Sequence, residues 1–211
     1  MSLLTNVKAG AITNLTEARF YSAAGVEWIG LCVDGSPGCL DAENSKSIVK
    51  WLAGSNIIAE FRNLPLDDIN SFSSEIEWDG VQVSFDHEAL DKIMDQYDLV
   101  IAEIKISELQ ELQRILDSLS ERDLLYLLDF NSGNIKWDAL KTDKSVLASL
   151  KNAANHYRLL IDIKCTKDNV LEIMETVEPH GLQIRGSGED QTGVKLFDEA
   201  GEILDVLSAE S

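Results

Sequence analysis

The chain has 211 residues, of which 45% are hydrophobic, and its 37 acidic and 18 basic side chains give a formal net charge of −19 at pH 7. This length suits one hydrophobic core, so a single domain over residues 1–211 is predicted. The strong negative charge argues against nucleic acid and anionic membranes as partners. With no signal-peptide pattern and no long apolar run, the sequence predicts a cytoplasmic protein and leaves its oligomeric state open.

Eight short apolar runs alternate with longer segments of helical periodicity. The predicted strands are, in chain order, residues 5–11, 26–33, 56–62, 78–85, 98–106, 124–130, 157–165 and 181–187. The predicted helices include residues 15–25, 41–54, 107–121, 144–156, 167–178 and 195–208. Eight such alternations predict an α/β fold of the (β/α)₈ TIM-barrel type, for which about 200 residues is the lower end of the size range. A doubly wound open sheet is the alternative.

Three of the predicted strands carry an acid and a base two residues apart near their C-terminal ends. These doublets are Glu60 and Arg62, Glu103 and Lys105, and Asp162 and Lys164. Spacing of two places both side chains on one face of a strand, so we expect them to pair across strands at the mouth of the barrel. A closed salt-bridge network with no ligand is the alternative interpretation.

The three cysteines are Cys32, Cys39 and Cys165. Their number is odd, and their spacing contains neither C-x-x-C nor a zinc-ligand pattern. We therefore expect no disulfide framework and no metal site, and the sequence calls for no cofactor.

Several segments resemble phosphoribosylanthranilate isomerase. The stretch KAGAITNLTEARFYSAAGVEWIGL, residues 8–31, is similar to the N-terminal signature of that family, and GLQIRGSGEDQTGVK, residues 181–195, to its eighth-strand region. FRN, VQVSF, LLYLLDF and CTKDNV resemble the intervening strand motifs, so the resemblance covers essentially the whole chain. It implies a (β/α)₈ barrel and an aldose–ketose isomerase of tryptophan biosynthesis, which performs an Amadori rearrangement of a phosphoribosyl aminobenzoate.

The resemblance also assigns roles to positions, and several of these have changed. It implies that Asp129 is the general acid, whereas Gly10 stands where the family has its cysteine base and Gly38 where it has an arginine for the substrate carboxylate. Ile163 and Lys164 replace the paired glycines that face the phosphate. Removing one such group typically lowers the rate by about 10² to 10⁴, so we expect the parental activity to be lost or altered.

The candidate catalytic residues are therefore Asp129 with Lys164 or Cys32 in a new role. The candidate ligand-binding residues are Lys8, Gln82, Asp162, Arg185, Gly186, Ser187 and Gly188, the last four as a loop that could accept an anion. Three hypotheses remain open: a divergent isomerase acting on a phosphorylated sugar, a catalytically silent homologue that binds a metabolite or a protein, and another reaction on a sugar phosphate through Asp162 and Lys164. The predicted partner is a small phosphorylated or anionic metabolite.

Overall fold

Eight parallel strands close into a barrel in a computed structural model that describes residues 2–186 and 197–208. Each strand pairs with the next along the chain, and the last pairs with the first. The strands are β1 (Asn6–Ile12), β2 (Trp28–Cys32), β3 (Asn56–Arg62), β4 (Gly80–Ser84), β5 (Val100–Lys105), β6 (Leu125–Asp129), β7 (Leu159–Asp162) and β8 (Gly181–Arg185). The predicted (β/α)₈ barrel is confirmed, and the open sheet is wrong.

Helices follow the strands, as the alternating pattern predicts. Those in the described residues are α1 (Leu15–Ala23), α2 (Ala42–Val49), α3 (Leu66–Ser73), α4 (Leu90–Met94), α5 (Leu109–Ser118), α6 (Trp137–Thr142), α7 (Lys144–His156), α8 (Val170–Val177) and α9 (Asp198–Leu207). Helix α1 begins after Asn14, whose side chain accepts a hydrogen bond from the Glu17 N–H at 2.9 Å and so caps the first turn. None of these helices is long and apolar enough to cross a bilayer.

The alternation of side chains along each strand divides the interior into two layers. Outward-facing residues such as Val7, Ala59 and Leu128 pack against the helices in the main hydrophobic core. Inward-facing residues near the amino ends of the strands form a separate apolar plug, made of Trp28, Ile58, Ile101, Leu125, Leu127 and Leu160. Polar side chains lie above this plug, toward the carboxyl ends of the strands, where barrel proteins carry their functional sites.

Two local departures from regular strand geometry change the predicted polar mouth. Strand β7 ends at Asp162, although the sequence predicts a strand through Cys165, so Lys164 lies beyond the strand and is exposed. Strand β3 has a register shift against β4 between Glu60 and Arg62, and Arg62 has a φ of 51°. A bulge interrupts the side-chain alternation on which the spacing argument depends.

Candidate functional site

A buried ion pair joins β1 to β3 across the barrel interior. Lys8 Nζ donates to Glu60 Oε1 and also to Gln183 Oε1 at 2.8 Å, and both charged side chains are at most 2% exposed. The backbone N–H of Ala11 donates to Glu60 Oε2 at 3.0 Å. Gly30 leaves room for the pair, because a Cβ there would overlap Glu60 Oε1 and lie 2.6 Å from Lys8 Nζ. Lys8 is therefore a buried partner of Glu60 and is not exposed to a ligand.

A second cluster joins the ends of β6, β7 and β8. Arg185 Nη2 lies 2.8 Å from Asp129 Oδ2 and 2.6 Å from Asp162 Oδ2, and its Nε donates to Asp162 Oδ2 at 2.7 Å. Both aspartates are 1% exposed, whereas the Arg185 side chain is 38% exposed. Asp129 also accepts hydrogen bonds from the N–H and hydroxyl of Ser132. The predicted general acid is thus surrounded by donors.

The Asp162 carboxylate also has donors as its polar neighbours. Its Oδ1 accepts from Asn131 Nδ2 at 2.6 Å, and its Oδ2 accepts from Gln183 Nε2 at 2.7 Å in addition to Arg185. Burial raises the pKa of Asp162 above its ordinary value, and Arg185 opposes this change. Burial lowers the pKa of Arg185, but the two adjacent carboxylates outweigh it and raise that pKa. These donors offset part of the effect of burial, and Arg185 joins the two aspartates in one ionic cluster.

Glu103 is a buried acid with little hydrogen bonding to compensate for its burial. It is 6% exposed, and its Oε2 accepts one long hydrogen bond, from Gln82 Nε2 at 3.3 Å. Burial, followed by repulsion from Glu60 and Asp129, raises the pKa of its carboxyl. Gln82 Oε1 is buried and has no hydrogen-bond partner within the described part of the chain. Gln82 therefore donates to Glu103 in the interior and does not line the cavity described below.

Gly10, the position that the resemblance assigns to a catalytic base, has no room for a side chain. A Cβ added at Gly10 would lie 2.6 Å from Gln183 Oε1 and 2.7 Å from Gln183 Cδ. Gln183 cannot easily move away, because Lys8 donates to its Oε1 and its Nε2 donates to Asp162. The amide of Gln183 thus fills the space that a catalytic side chain at position 10 would need.

A cavity of about 550 Å³ opens beside the carboxyl ends of β7 and β8. Its lining includes Asp162, Lys164, Arg185 and Gly186, together with Asn131 and Gln183 and the first turn of α9. The structure therefore brings four of the predicted site residues together in one concavity. Within the described ranges Lys164 has no ion-pair partner, which leaves its ammonium group available to a ligand there.

Cys32 is placed elsewhere, and the expectation that the cysteines form no disulfide is wrong. Cys32 at the end of β2 forms a disulfide with Cys39, seven residues later. In this form it has no thiol, so it cannot act as the base that the sequence offered as one possibility. Cys165 is a free buried cysteine, and burial followed by the charge of Asp162 raises its pKa to about 12, which keeps its thiol unreactive.

The basic members of the doublets do not pair with the acidic ones, which corrects the spacing argument. Arg62, which follows the bulge in β3 and so leaves the regular alternation of side chains, donates from Nη1 to Asp34 Oδ2 at 2.7 Å. Lys105 and Lys164 are exposed. Asp162 is bound by Arg185, and it forms no ion pair with Lys164. The acids Glu60, Glu103 and Asp162 do face the interior, as predicted, because they lie within the regular part of their strands.

The predicted anion-binding loop is described only in part, since Ser187 and Gly188 lie outside the described residues. The Gly186 N–H donates to the Gly10 carbonyl at 2.9 Å and continues the pairing of β8 with β1. A Cβ at Gly186 would overlap the buried Glu17 carboxylate. The Gly186 N–H is therefore occupied, and a carboxylate stands next to it.

Gln183, Glu103 and Asn131 are among the residues of this polar interior that were not predicted site residues. Gln183 stands two residues before Arg185 on the same strand face, and this spacing is the signal that could have included it. Glu103 was recognised only as a member of a doublet. Asn131 follows β6 by two residues and carries no motif that would indicate its contact with Asp162.

The fold and this site define a class: a (β/α)₈-barrel protein with a buried ionic network at the functional end and one polar cavity beside it. No family model matches the chain. It is 26% identical over 204 residues to N-(5'-phosphoribosyl)anthranilate isomerase of Sulfurihydrogenibium sp. (strain YO3AOP1), covering 95% of this chain and 98% of that protein. The enzyme of the same name from Aquifex aeolicus (strain VF5) is 24% identical over 212 residues, with 95% and 97% covered.

Solved structures agree on the fold. Phosphoribosylanthranilate isomerase from Thermotoga maritima matches with a TM-score of 0.77 at 22% identity, covering 96% of this chain and 98% of that one. A phosphoribosylanthranilate isomerase bound to reduced 1-(o-carboxyphenylamino)-1-deoxyribulose 5-phosphate matches with a TM-score of 0.75 at 22% identity over the same shares. The resemblance to phosphoribosylanthranilate isomerase that the sequence motifs indicated is confirmed.

Proposed function

We propose that this chain retains the phosphoribosylanthranilate isomerase barrel, as a single domain, but does not catalyse the parental rearrangement, and that it binds a small anionic metabolite beside β7 and β8. The observation that carries this proposal is the Gln183 amide packed against Gly10. The parental reaction needs a base at that position, and glycine provides none. The space is also filled by a side chain with two fixed partners, so neither a substrate atom nor a water molecule acting as the base fits there.

The ion pairs on the acid side support the same conclusion. A general acid must hold a proton and present it to the substrate. Asp129 is 1% exposed, and Arg185 lies between it and the cavity as a bound cation. The carboxyl group that the resemblance implies as the proton donor is therefore buried behind Arg185 and does not line the cavity.

The proposed ligand is anionic because cations face the cavity. Lys164 and the exposed part of Arg185 line it, and Asp162 is already neutralised by Arg185. The neighbouring Asp198 and Glu199 limit how much negative charge the ligand can carry. The occupied Gly186 N–H disfavours a phosphate held by backbone groups, so a carboxylate or phosphate held by Lys164 and Arg185 fits better.

Complementation of a tryptophan auxotroph that lacks phosphoribosylanthranilate isomerase tests the catalytic part. We expect no growth from this chain and growth from the Aquifex aeolicus relative expressed to the same level, and robust growth from this chain would refute the proposal. Thermal unfolding with inorganic phosphate or benzoate tests the ligand part. One of these anions should raise the Tm of the wild-type chain and not that of Lys164→Ala, while equal shifts in both would exclude this cavity.

A further inference from the structure

We propose that Cys32, Asp34 and Cys39 form a redox-controlled zinc site at the rim of the barrel, in which the disulfide is the metal-free form. The inference concerns the loop between β2 and α2 and is independent of the proposed function. The sulfur atoms of the two cysteines and a carboxylate oxygen of Asp34 all lie within 4.8 Å of one another. Two thiolates and a carboxylate are ligands that Zn²⁺ accepts.

The backbone of the loop keeps the two cysteines adjacent without help from the disulfide. The Leu40 N–H donates to the Cys32 carbonyl at 2.8 Å, and the Cys39 N–H donates to the Ser36 carbonyl at 3.0 Å. The two Cα atoms are 5.0 Å apart. Because these hydrogen bonds survive reduction, the two thiols remain side by side when the disulfide is opened.

Asp34 is aimed at the sulfur atoms by contacts on both of its oxygens. Its Oδ2 accepts from Arg62 Nη1 at 2.7 Å, and its Oδ1 accepts from the Ser36 N–H at 2.9 Å. That same Oδ1 lies 3.3 Å from Cys39 Sγ and 4.0 Å from Cys32 Sγ. The Ser36 N–H and the Arg62 guanidinium both donate to this carboxylate and hold its Oδ1 facing the two sulfur atoms.

The charges of this arrangement suit a divalent cation. Sulfur atoms in a disulfide carry no hydrogen to donate to Asp34, whereas a metal between the three atoms would bind all of them. Two thiolates, the Asp34 carboxylate, the Arg62 cation and Zn²⁺ together carry no net charge. Thiolate ligands select zinc over magnesium and calcium, and a water molecule would complete the four-coordinate site.

Opening the Cys32–Cys39 disulfide requires a reductant, and a dithiol supplies the two electrons. One dithiol thiolate attacks a sulfur of the disulfide, and its second thiolate resolves the mixed disulfide, which leaves a cyclic disulfide and two protein thiols. Zinc then binds as the two thiols release two protons. Reoxidation by a small-molecule disulfide would reverse the exchange and release the metal.

Metal binding to the full chain tests this inference. The protein is reduced with a water-soluble phosphine without oxygen, and the oxidised protein serves as the comparison. We expect the reduced chain to bind Zn²⁺ at one ion per chain in equilibrium dialysis and the oxidised chain to bind none. With Co²⁺ as the probe, the reduced chain should show sulfur-to-cobalt charge-transfer absorption that Zn²⁺ abolishes.

Four variants separate the site from adventitious binding. Cys39→Ser should weaken zinc binding by at least about tenfold and remove most of the charge-transfer absorption, and Asp34→Asn should weaken binding while leaving both thiols. Cys165→Ser is the matched control, since it removes a buried cysteine outside the site, and it should bind as the wild type does. Zinc uptake by reduced wild type that is no greater than that of Cys32→Ser/Cys39→Ser overturns the inference, and so does unchanged binding by Cys39→Ser.

Discussion

At the residue scale, three of the buried acids in the barrel are paired with cations of the chain itself. Glu60 is held by Lys8, and Asp129 and Asp162 are held by Arg185. Ion pairs at this depth are retained only when their geometry compensates the loss of hydration, and removing one partner is far more costly than replacing both. The interior therefore behaves as a framework whose members depend on each other.

Lys8→Met tests that dependence. The substitution keeps a long side chain but leaves the Glu60 carboxylate without its cation, so we expect the free energy of unfolding in urea to fall by about 3 to 5 kcal/mol. The double variant Lys8→Met/Glu60→Gln should recover much of this loss, because neither of the two positions then carries a charge. A loss that is the same in the single and the double variant would show that the ion pair is not the cause.

Glu103→Gln tests whether the buried Glu103 carboxylate lowers the stability of the folded chain. Between the ordinary glutamate pKa of 4.5 and the raised folded-state pKa, the folded chain holds a proton that the unfolded chain has released, so stability falls as pH rises through this window and stays lower above it. Glutamine cannot ionise, so the variant should be roughly 1 kcal/mol more stable than wild type at neutral pH.

The same variant should lose this advantage in acid. Urea unfolding across the pH range gives the difference between the two chains at each pH, which cancels the contribution of Asp162, whose pKa is also raised. A difference that does not change with pH would contradict the assignment of Glu103 as the uncompensated acid.

At the element scale, strand alternation could be predicted from the sequence, but the ends of strands could not. The regular parts of β3, β5 and β7 place Glu60, Glu103 and Asp162 inward because the side-chain period is two. The bulge before Arg62 and the early end of β7 depend on backbone geometry that composition does not encode. For the same reason Arg62 and Lys164 were misplaced, whereas Lys105 is the last residue of β5 and is exposed there.

Gly30→Ala tests how closely β2 approaches the buried pair. The added methyl group would overlap Glu60, so we expect a loss of about 2 kcal/mol in the free energy of unfolding. Gly201→Ala is the matched control, because it lies in α9 and its nearest neighbour, Phe20 Cζ, is 4.0 Å from the new atom. There the better helix propensity of alanine should add about 1 kcal/mol. Equal effects of the two substitutions would contradict the close packing at β2.

At the scale of the whole molecule, the barrel could be predicted because eight strand and helix alternations leave few architectures. The site could be predicted only in part. Asp162, Lys164, Arg185 and Gly186 do meet at one cavity. The disulfide joins Cys32 to a cysteine only seven residues later, but no spacing motif indicates it. The role of Gln183 arises from contacts with Lys8, Asp162 and the Gly10 position on other strands, which the closed barrel brings together. The chain thus shares the barrel fold of solved phosphoribosylanthranilate isomerases and carries a buried ionic network in its interior.

The most direct measurement is the steady-state turnover of N-(5'-phosphoribosyl)anthranilate by the purified chain, beside the Aquifex aeolicus relative under the same conditions. Gly10 provides no base and the Gln183 amide fills the space beside it, while Asp129 is ion-paired with Arg185. We therefore predict a kcat/KM at least about 10³-fold below that of the relative. A kcat/KM within about tenfold of that of the relative would contradict the proposed loss of activity, since the reaction would then proceed without a base at Gly10.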